Sequence, residues 1–257
     1  MRPTTPLVTA CVFLLALPAA AGAFPVTWGA SWDGPQYSLQ NLVNNYLGSN
    51  AINVAVDYIG HDAGDPDPFY WRIGGFTSAL VREVANNSGV NEFGWYRRPA
   101  VGMAPTIDGI NDGVVFPGPA GEGSTFYLDL LALYGSPVQI GFYLSTPGSQ
   151  QLARETFYTD RRHNDYGWAG GPLHAPYDGD PQALVYDLTA IRGFESYLLA
   201  WEDRDYGGSV GYQTDNDFND LLVELTPAEA IPEPSSVTLL GSCLIAAIAL
   251  ARRRRSE

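Results

Sequence analysis

Residues 138–145 read V-Q-I-G-F-Y-L-S. Val138, Ile140, Phe142 and Leu144 fall on one side of an extended chain, with Gln139, Tyr143 and Ser145 on the other. Side chains alternate across a strand, so this spacing predicts β-structure with one face toward a core. Working outward, Phe126 to Leu133, Ala183 to Leu188, Tyr197 to Trp201 and Phe218 to Leu225 are comparable short apolar runs. Weaker strand candidates are Ala51 to Ile59, Glu92 to Tyr96 and Gly113 to Phe116. Gly and Pro punctuate the intervals throughout. This texture predicts a mainly β chain, an antiparallel β-sandwich of jelly-roll-like form. Two short N-terminal helices are expected to cover one end of it. Leu39, Leu42, Val43, Tyr46 and Leu47 have helical spacing, with Ser38 placed to cap and Gly48 to stop the helix. Thr77 to Asn86 carries Leu80, Val81 and Val84 on one side, with Gly89 shortly after.

Both ends have the composition of address labels. The start has Arg2, an apolar run and small residues, and Ala21-Gly22-Ala23 fits a signal-peptide cleavage site. Residues 1–23 therefore read as a signal peptide for the Sec pathway, with the mature chain beginning at Phe24. The run is short for a membrane helix, which takes about 20 apolar residues. At the far end, Ile231-Pro232-Glu233-Pro234 precedes the apolar span 235–251, and Arg252, Arg253, Arg254 and Arg255 follow as a basic cluster. An apolar span with arginines after it orients its basic end to the cytoplasm and the rest outside. These three elements in order resemble the PEP-CTERM sorting signal of Gram-negative bacteria, with Ile231 where Val is usual. The resemblance implies an exosortase as processing partner, with transient anchoring in the inner membrane and removal of the tail near Pro-Glu-Pro. It also implies delivery to the cell surface or the exopolysaccharide matrix. A plain single-span anchor is the alternative.

Between these labels, residues 24–75 read as an N-terminal extension packed on the body and 76–226 as the sandwich domain. Residues 227–257 are the linker and sorting tail. Cys11 and Cys243 both lie in the labels, so the exported part has no disulfide or thiolate metal site. Its stability must come from an ordinary core or from bound ions. From Phe24 to Ala230, 26 carboxylates face nine arginines, a net charge of −17, and lysine is absent from the whole chain. Such a field repels nucleic acid and anionic lipid and attracts cations. The aromatic and apolar content argues against disorder.

The acids are concentrated. Tyr197 to Trp201 runs into Glu202 and Asp203, and after a glycine-bearing loop residues 215–220 read D-N-D-F-N-D, leading into L-L-V-E-L. If the two strands form a hairpin, Glu202, Asp203, Asp205, Asp215, Asp217 and Asp220 share one end of the sheet, with Arg204 nearby. A close like-charge pair costs roughly 1 kcal/mol in water at ~4 Å, and about 4 at a partly buried surface. Such crowding favours a divalent ion or a splayed, solvated turn. The expected ion is calcium, which takes six to eight oxygens from carboxylates, amides and carbonyls. Its candidate ligands are Glu202, Asp203, Asp215, Asp217, Asn219 and Asp220. The loop is not an EF-hand, because Asp220 stands where that loop needs Gly and Thr226 where it needs Glu. The competing reading is an Asx-rich turn in which these side chains hold local backbone N–H groups.

The run W-E-D…D-N-D-F-N-D-L-L-V-E resembles the closing motif of domain-of-unknown-function family 4114. Asn91-Glu92-Phe93-Gly94-Trp95-Tyr96, Gly141-Phe142-Tyr143-Leu144, and Thr156-Phe157-Tyr158-Thr159-Asp160 with Asn164 are similar to its earlier segments, in order. The resemblance covers roughly Phe76 to Thr226 and implies an extracellular, β-rich, adhesin-associated domain. It carries no catalytic residue.

Enzyme signatures are weak. Gly207-Gly208-Ser209-Val210-Gly211 matches a nucleophile elbow in letters, but a strand follows it and no histidine lies beyond His174. His61, His163 and His174 lack zinc-ligand spacing. Glu202 and Asp217 could form a glycosidase pair, but any acidic cluster offers such pairs. Among the aromatics, Trp28, Trp32, Tyr70, Trp71, Trp95, Tyr96 and Tyr166 are expected mostly in the core. Trp168, in N-D-Y-G-W-A-G-G, is the candidate for stacking on a sugar ring. The reading is a secreted, non-enzymatic structural or adhesive protein with a calcium site. The alternatives are a carbohydrate-binding module for exopolysaccharide, and a glycoside hydrolase acting on that matrix.

Overall fold

The alternating run at 138–145 becomes a nine-residue strand at the centre of one of two sheets. The structure is a computed structural model and describes residues 34–59, 70–84, 89–101, 103–146, 155–164, 182–203 and 217–228. In chain order the elements are α1 (Leu39–Leu47), β1 (Trp71–Ile73), β2 (Gly75–Glu83), β3 (Glu92–Arg97), β4 (Asp112–Phe116) and β5 (Thr125–Asp129). Then come α2 (Leu130–Tyr134), β6 (Val138–Thr146), β7 (Glu155–Tyr158), β8 (Ala183–Asp187), α3 (Thr189–Arg192), β9 (Tyr197–Trp201) and β10 (Leu221–Ala228).

The strands form two antiparallel five-stranded sheets. The first has the order β5-β2-β10-β9-β8; the second has β1-β6-β3-β4, with β7 also paired to β6. Strands distant in sequence are neighbours: β2 and β10 pair from Leu221 opposite Glu83 to Ala228 opposite Gly75. The inward faces meet in an apolar core, where Phe76 packs edge-on to Phe142 and Phe93 edge-on to Trp201, at 5.3 and 6.0 Å between rings. This is a β-sandwich, held by face-to-face burial of alternate residues.

The outer face of the first sheet is covered as well. Leu39, Leu42 and Val43 of α1, with Ile52 and Val54, pack on Leu184, Leu198, Ala200 and Leu222. The helix forms as its spacing predicts and stops at Gly48 in the left-handed region, φ 67°. Ser38 precedes it but makes no side-chain capping bond. On the second sheet, Tyr143 lies over Gly94 and Tyr96 over Gly141, each pair facing across neighbouring strands. A Cβ on Gly94 would lie 2.2 Å from the Tyr143 ring, so the close approach requires glycine there. The alternation at 138–145 thus has a buried second face too.

The second expected helix, Thr77 to Asn86, is instead strand β2 through Glu83. Leu80, Val81 and Val84 fit a helical stripe, but Phe76, Ser78 and Leu80 also alternate, and all three are buried. Two flanking strands, β5 and β10, offer hydrogen bonds along the segment and override the local spacing. Phe126 to Leu133 is a strand only to Asp129. Its carboxylate accepts from the Ala132 N–H at 2.9 Å and caps α2. Ala51 to Ile59 forms turns with an isolated bridge from Tyr58 to Tyr186. Trp71, Trp95 and Tyr96 are buried.

Candidate metal centre

Five strand ends converge at one end of the sandwich: the ends of β2 and β9 and the starts of β3, β8 and β10. The registers Ala183 opposite Trp201 and Leu221 opposite Trp201, carried one residue on, set Gln182, Glu202 and Asp220 abreast. The Glu202 N–H donates to the Gln182 carbonyl at 3.0 Å, and the Val84 N–H to the Asp220 carbonyl at 3.0 Å.

Three carboxylates meet there. Glu202, Asp203 and Asp220 are only 1%, 2% and 8% exposed. One oxygen from each lies within 4.8 Å of the others. Asp220 accepts the Asp203 backbone N–H at 2.8 Å. Burial, then the neighbouring Glu202 and Asp203 carboxylates, push the Asp220 carboxyl well above the usual carboxylate value. Glu83, at the end of β2, is pushed up to about 7, mainly by burial, with Asp203 adding to it. Such a cluster of hard oxygens is of the chemical class that calcium takes.

The six sequence candidates therefore divide. Glu202, Asp203 and Asp220 come together. Asp217 and Asn219 are buried beside them in a local turn. The Asn219 amide donates to Asp217 Oδ2 at 2.7 Å and to the Tyr37 carbonyl at 2.8 Å, tying the turn to the lead-in of α1. Between them Phe218 has φ 53°, a left-handed conformation uncommon for a bulky residue. Its fully buried ring packs into the cluster under α1, and that burial offsets the strain. Asn219 thus anchors the turn, while Asp220 lies against Glu202 and Asp203. Asp215 lies outside the described residues, as do Trp168, Ala21, Ala23, Pro232, Glu233, Pro234 and Arg252 to Arg255.

Two residues that sequence reasoning did not assign to the site stand against the cluster. Asn91, at the start of β3, donates its amide to Asp203 Oδ2 at 3.0 Å across the gap between the sheets. Gln182 stands beside Glu202 in the register. Both side chains are buried, 4% and 1% exposed, and among the described residues both amide oxygens lack a hydrogen-bond partner. The signal that could have found them is weak: a single polar residue at the lip of each strand.

Residues 230–255 match the PEP-CTERM protein-sorting motif. The motif supports a secreted protein that an exosortase sorts and processes. It covers the tail and leaves the sandwich unclassified, so the resemblance of 76–226 to family 4114 rests on its sequence motifs alone. No curated protein and no solved structure matches the chain. Among the described residues no helix is long and apolar enough to cross a membrane, and the tail span 235–251 lies outside them.

Proposed function

We propose that this chain is a secreted, non-enzymatic structural or adhesive protein of the cell surface or exopolysaccharide matrix, whose sandwich is stabilised by calcium at its acidic end. The observation that carries the calcium reading is the gathering of Glu202, Asp203 and Asp220 within 4.8 Å at low exposure. Like charges so close and so buried are costly without a cation. The PEP-CTERM tail supports the destination, and the family 4114 resemblance supports an extracellular, adhesin-associated role. Burial of the three carboxylates also suits an ion better than glycoside hydrolysis, which needs two acids flanking a bound sugar.

The test is fractionation of an exosortase-bearing Gram-negative host that expresses the whole chain. Tail-processed protein is expected in the surface or matrix fraction, and EDTA is expected to loosen it from that fraction. Replacing Pro232, Glu233 and Pro234 by alanine should leave the tail uncut. A protein that is processed but found only in the medium, with or without chelator, would contradict the surface role. A carbohydrate-binding role remains the second reading, and a polysaccharide pull-down with Trp168→Ala as control distinguishes it.

A further inference from the structure

We infer that Asn91 and Gln182 complete the ligand shell of this cation through their amide oxygens, so that the ion fastens the two sheets together. The inference rests on the calcium reading above and deepens it. Three carboxylates that each give one oxygen supply only half or fewer of the six to eight that calcium takes, leaving the rest to water or further protein groups. Asn91 Oδ1 and Gln182 Oε1 are neutral hard oxygens of the right class. They are buried beside the cluster with no hydrogen-bond partner among the described residues. Buried acceptors are almost always satisfied in native proteins, and each exception calls for an explanation such as an ion. Asn91 is held against the cluster, because its amide nitrogen touches Asp203 at 3.0 Å. Gln182 is placed there by its position abreast of Glu202 and Asp220 on adjoining strands.

The topology gives this shell a consequence. Glu202, Asp203, Asp220 and Gln182 belong to strand ends of the first sheet, whereas Asn91 leads into β3 of the second. An ion held by both clamps the sheets at this end of the sandwich. It supplies the cross-link that a cysteine-free exported domain cannot obtain from a disulfide.

Terbium substitutes for calcium, and its luminescence lifetime in H₂O and D₂O counts the waters on the bound ion. The experiment compares the secreted protein with Asn91→Leu, Gln182→Leu and Asn91→Asp, measuring calcium affinity by titration and bound waters by terbium lifetime. The leucine variants are each expected to weaken calcium about tenfold or more and to admit about one extra water. Asn91→Asp keeps an oxygen in place while losing the amide donor, so it should retain binding. Weakened binding with an unchanged water count, or loss of binding in Asn91→Asp, would show that Asn91 only braces Asp203 and would overturn the inference. Unchanged affinity in both leucine variants would also overturn it, while leaving the calcium reading standing. Absence of calcium binding in the unaltered protein would sink both.

Discussion

Asp220 and Glu224 stand four residues apart on β10 and its lead-in, are comparably buried at 8% and 7%, and have opposite surroundings. Glu224 is fully partnered. Arg192 grips both its oxygens, at 3.0 and 2.6 Å, Ser196 donates to one at 2.7 Å, and the Tyr46 hydroxyl donates to the other. Burial would raise its carboxyl, but these donors outweigh it and hold Glu224 below the usual value. Arg192 also stacks over Tyr46, so the network pins the C-terminal end of α1 to the sheet. Beside it a cavity of about 390 Å³ is lined by Tyr46, Ala79, Arg192, Phe194 and Thr226. Asp220 instead faces two more carboxylates and is driven the other way. A buried acid that serves packing brings its own cation. On the proposed reading, a buried acid grouped with other acids, and with idle amide oxygens beside it, takes its cation from outside.

That contrast can be broken by substitution. Arg192→Ala leaves Glu224 buried beside only neutral donors. Removing one partner of a buried pair costs about 3–5 kcal/mol. Because the Arg192 side chain is 28% exposed, about 2–3 kcal/mol is expected, equal in calcium and in EDTA by chemical denaturation. A loss that depended on calcium would merge the two sites and undo the comparison. Asp220→Asn should act in opposite senses in the two conditions. Without calcium it relieves repulsion and stabilises by about 1 kcal/mol, or roughly 2–4 °C in melting temperature. With calcium it removes a ligand and lowers the melting temperature. A loss in both conditions would make Asp220 an ordinary structural acid.

Smaller effects follow from titration of the partnered site. The Tyr46 hydroxyl is pushed up to about 12, chiefly by burial and then by Glu224. A raised pKa contributes stability that is complete below the unfolded value of 10.0 and is lost as pH rises toward 12. Glu224 has a lowered pKa, so its contribution is complete above the unfolded value of 4.5 and is lost as pH falls through the folded one. Melts of the unaltered protein and Tyr46→Phe should differ most in the alkaline window, where only the former carries the tyrosine, and less in the acid one, where the variant lacks one donor to Glu224.

How much of this was legible depends on what each segment's neighbours supply. Tyr197 to Trp201 was readable as a strand because it is apolar throughout, lies between β10 and β8 in its sheet and is bounded by acids. Thr77 to Asn86 was misread because its apolar residues satisfy two periods at once, and the choice between them is made by β5 and β10. The acidic hairpin was legible because Glu202, Asp203 and Asp220 flank two strands that pair with each other. The division of roles within D-N-D-F-N-D was not, since it turns on the left-handed Phe218 and on the Tyr37 carbonyl far upstream. Asn91 and Gln182 were hidden for the same reason. Asn91 meets Asp203 across 112 residues of chain, and only the packing of the sheets brings them together.

The most direct test is the melting temperature of the secreted protein in calcium and in EDTA, measured alongside Glu224→Gln and Asp220→Asn. At calcium near a hundredfold above its dissociation constant, binding adds about 2.7 kcal/mol, or roughly 5–10 °C. The unaltered protein and Glu224→Gln should both show that rise, and Asp220→Asn should lose most of it. Equal melting temperatures of the unaltered protein in calcium and EDTA would contradict the account.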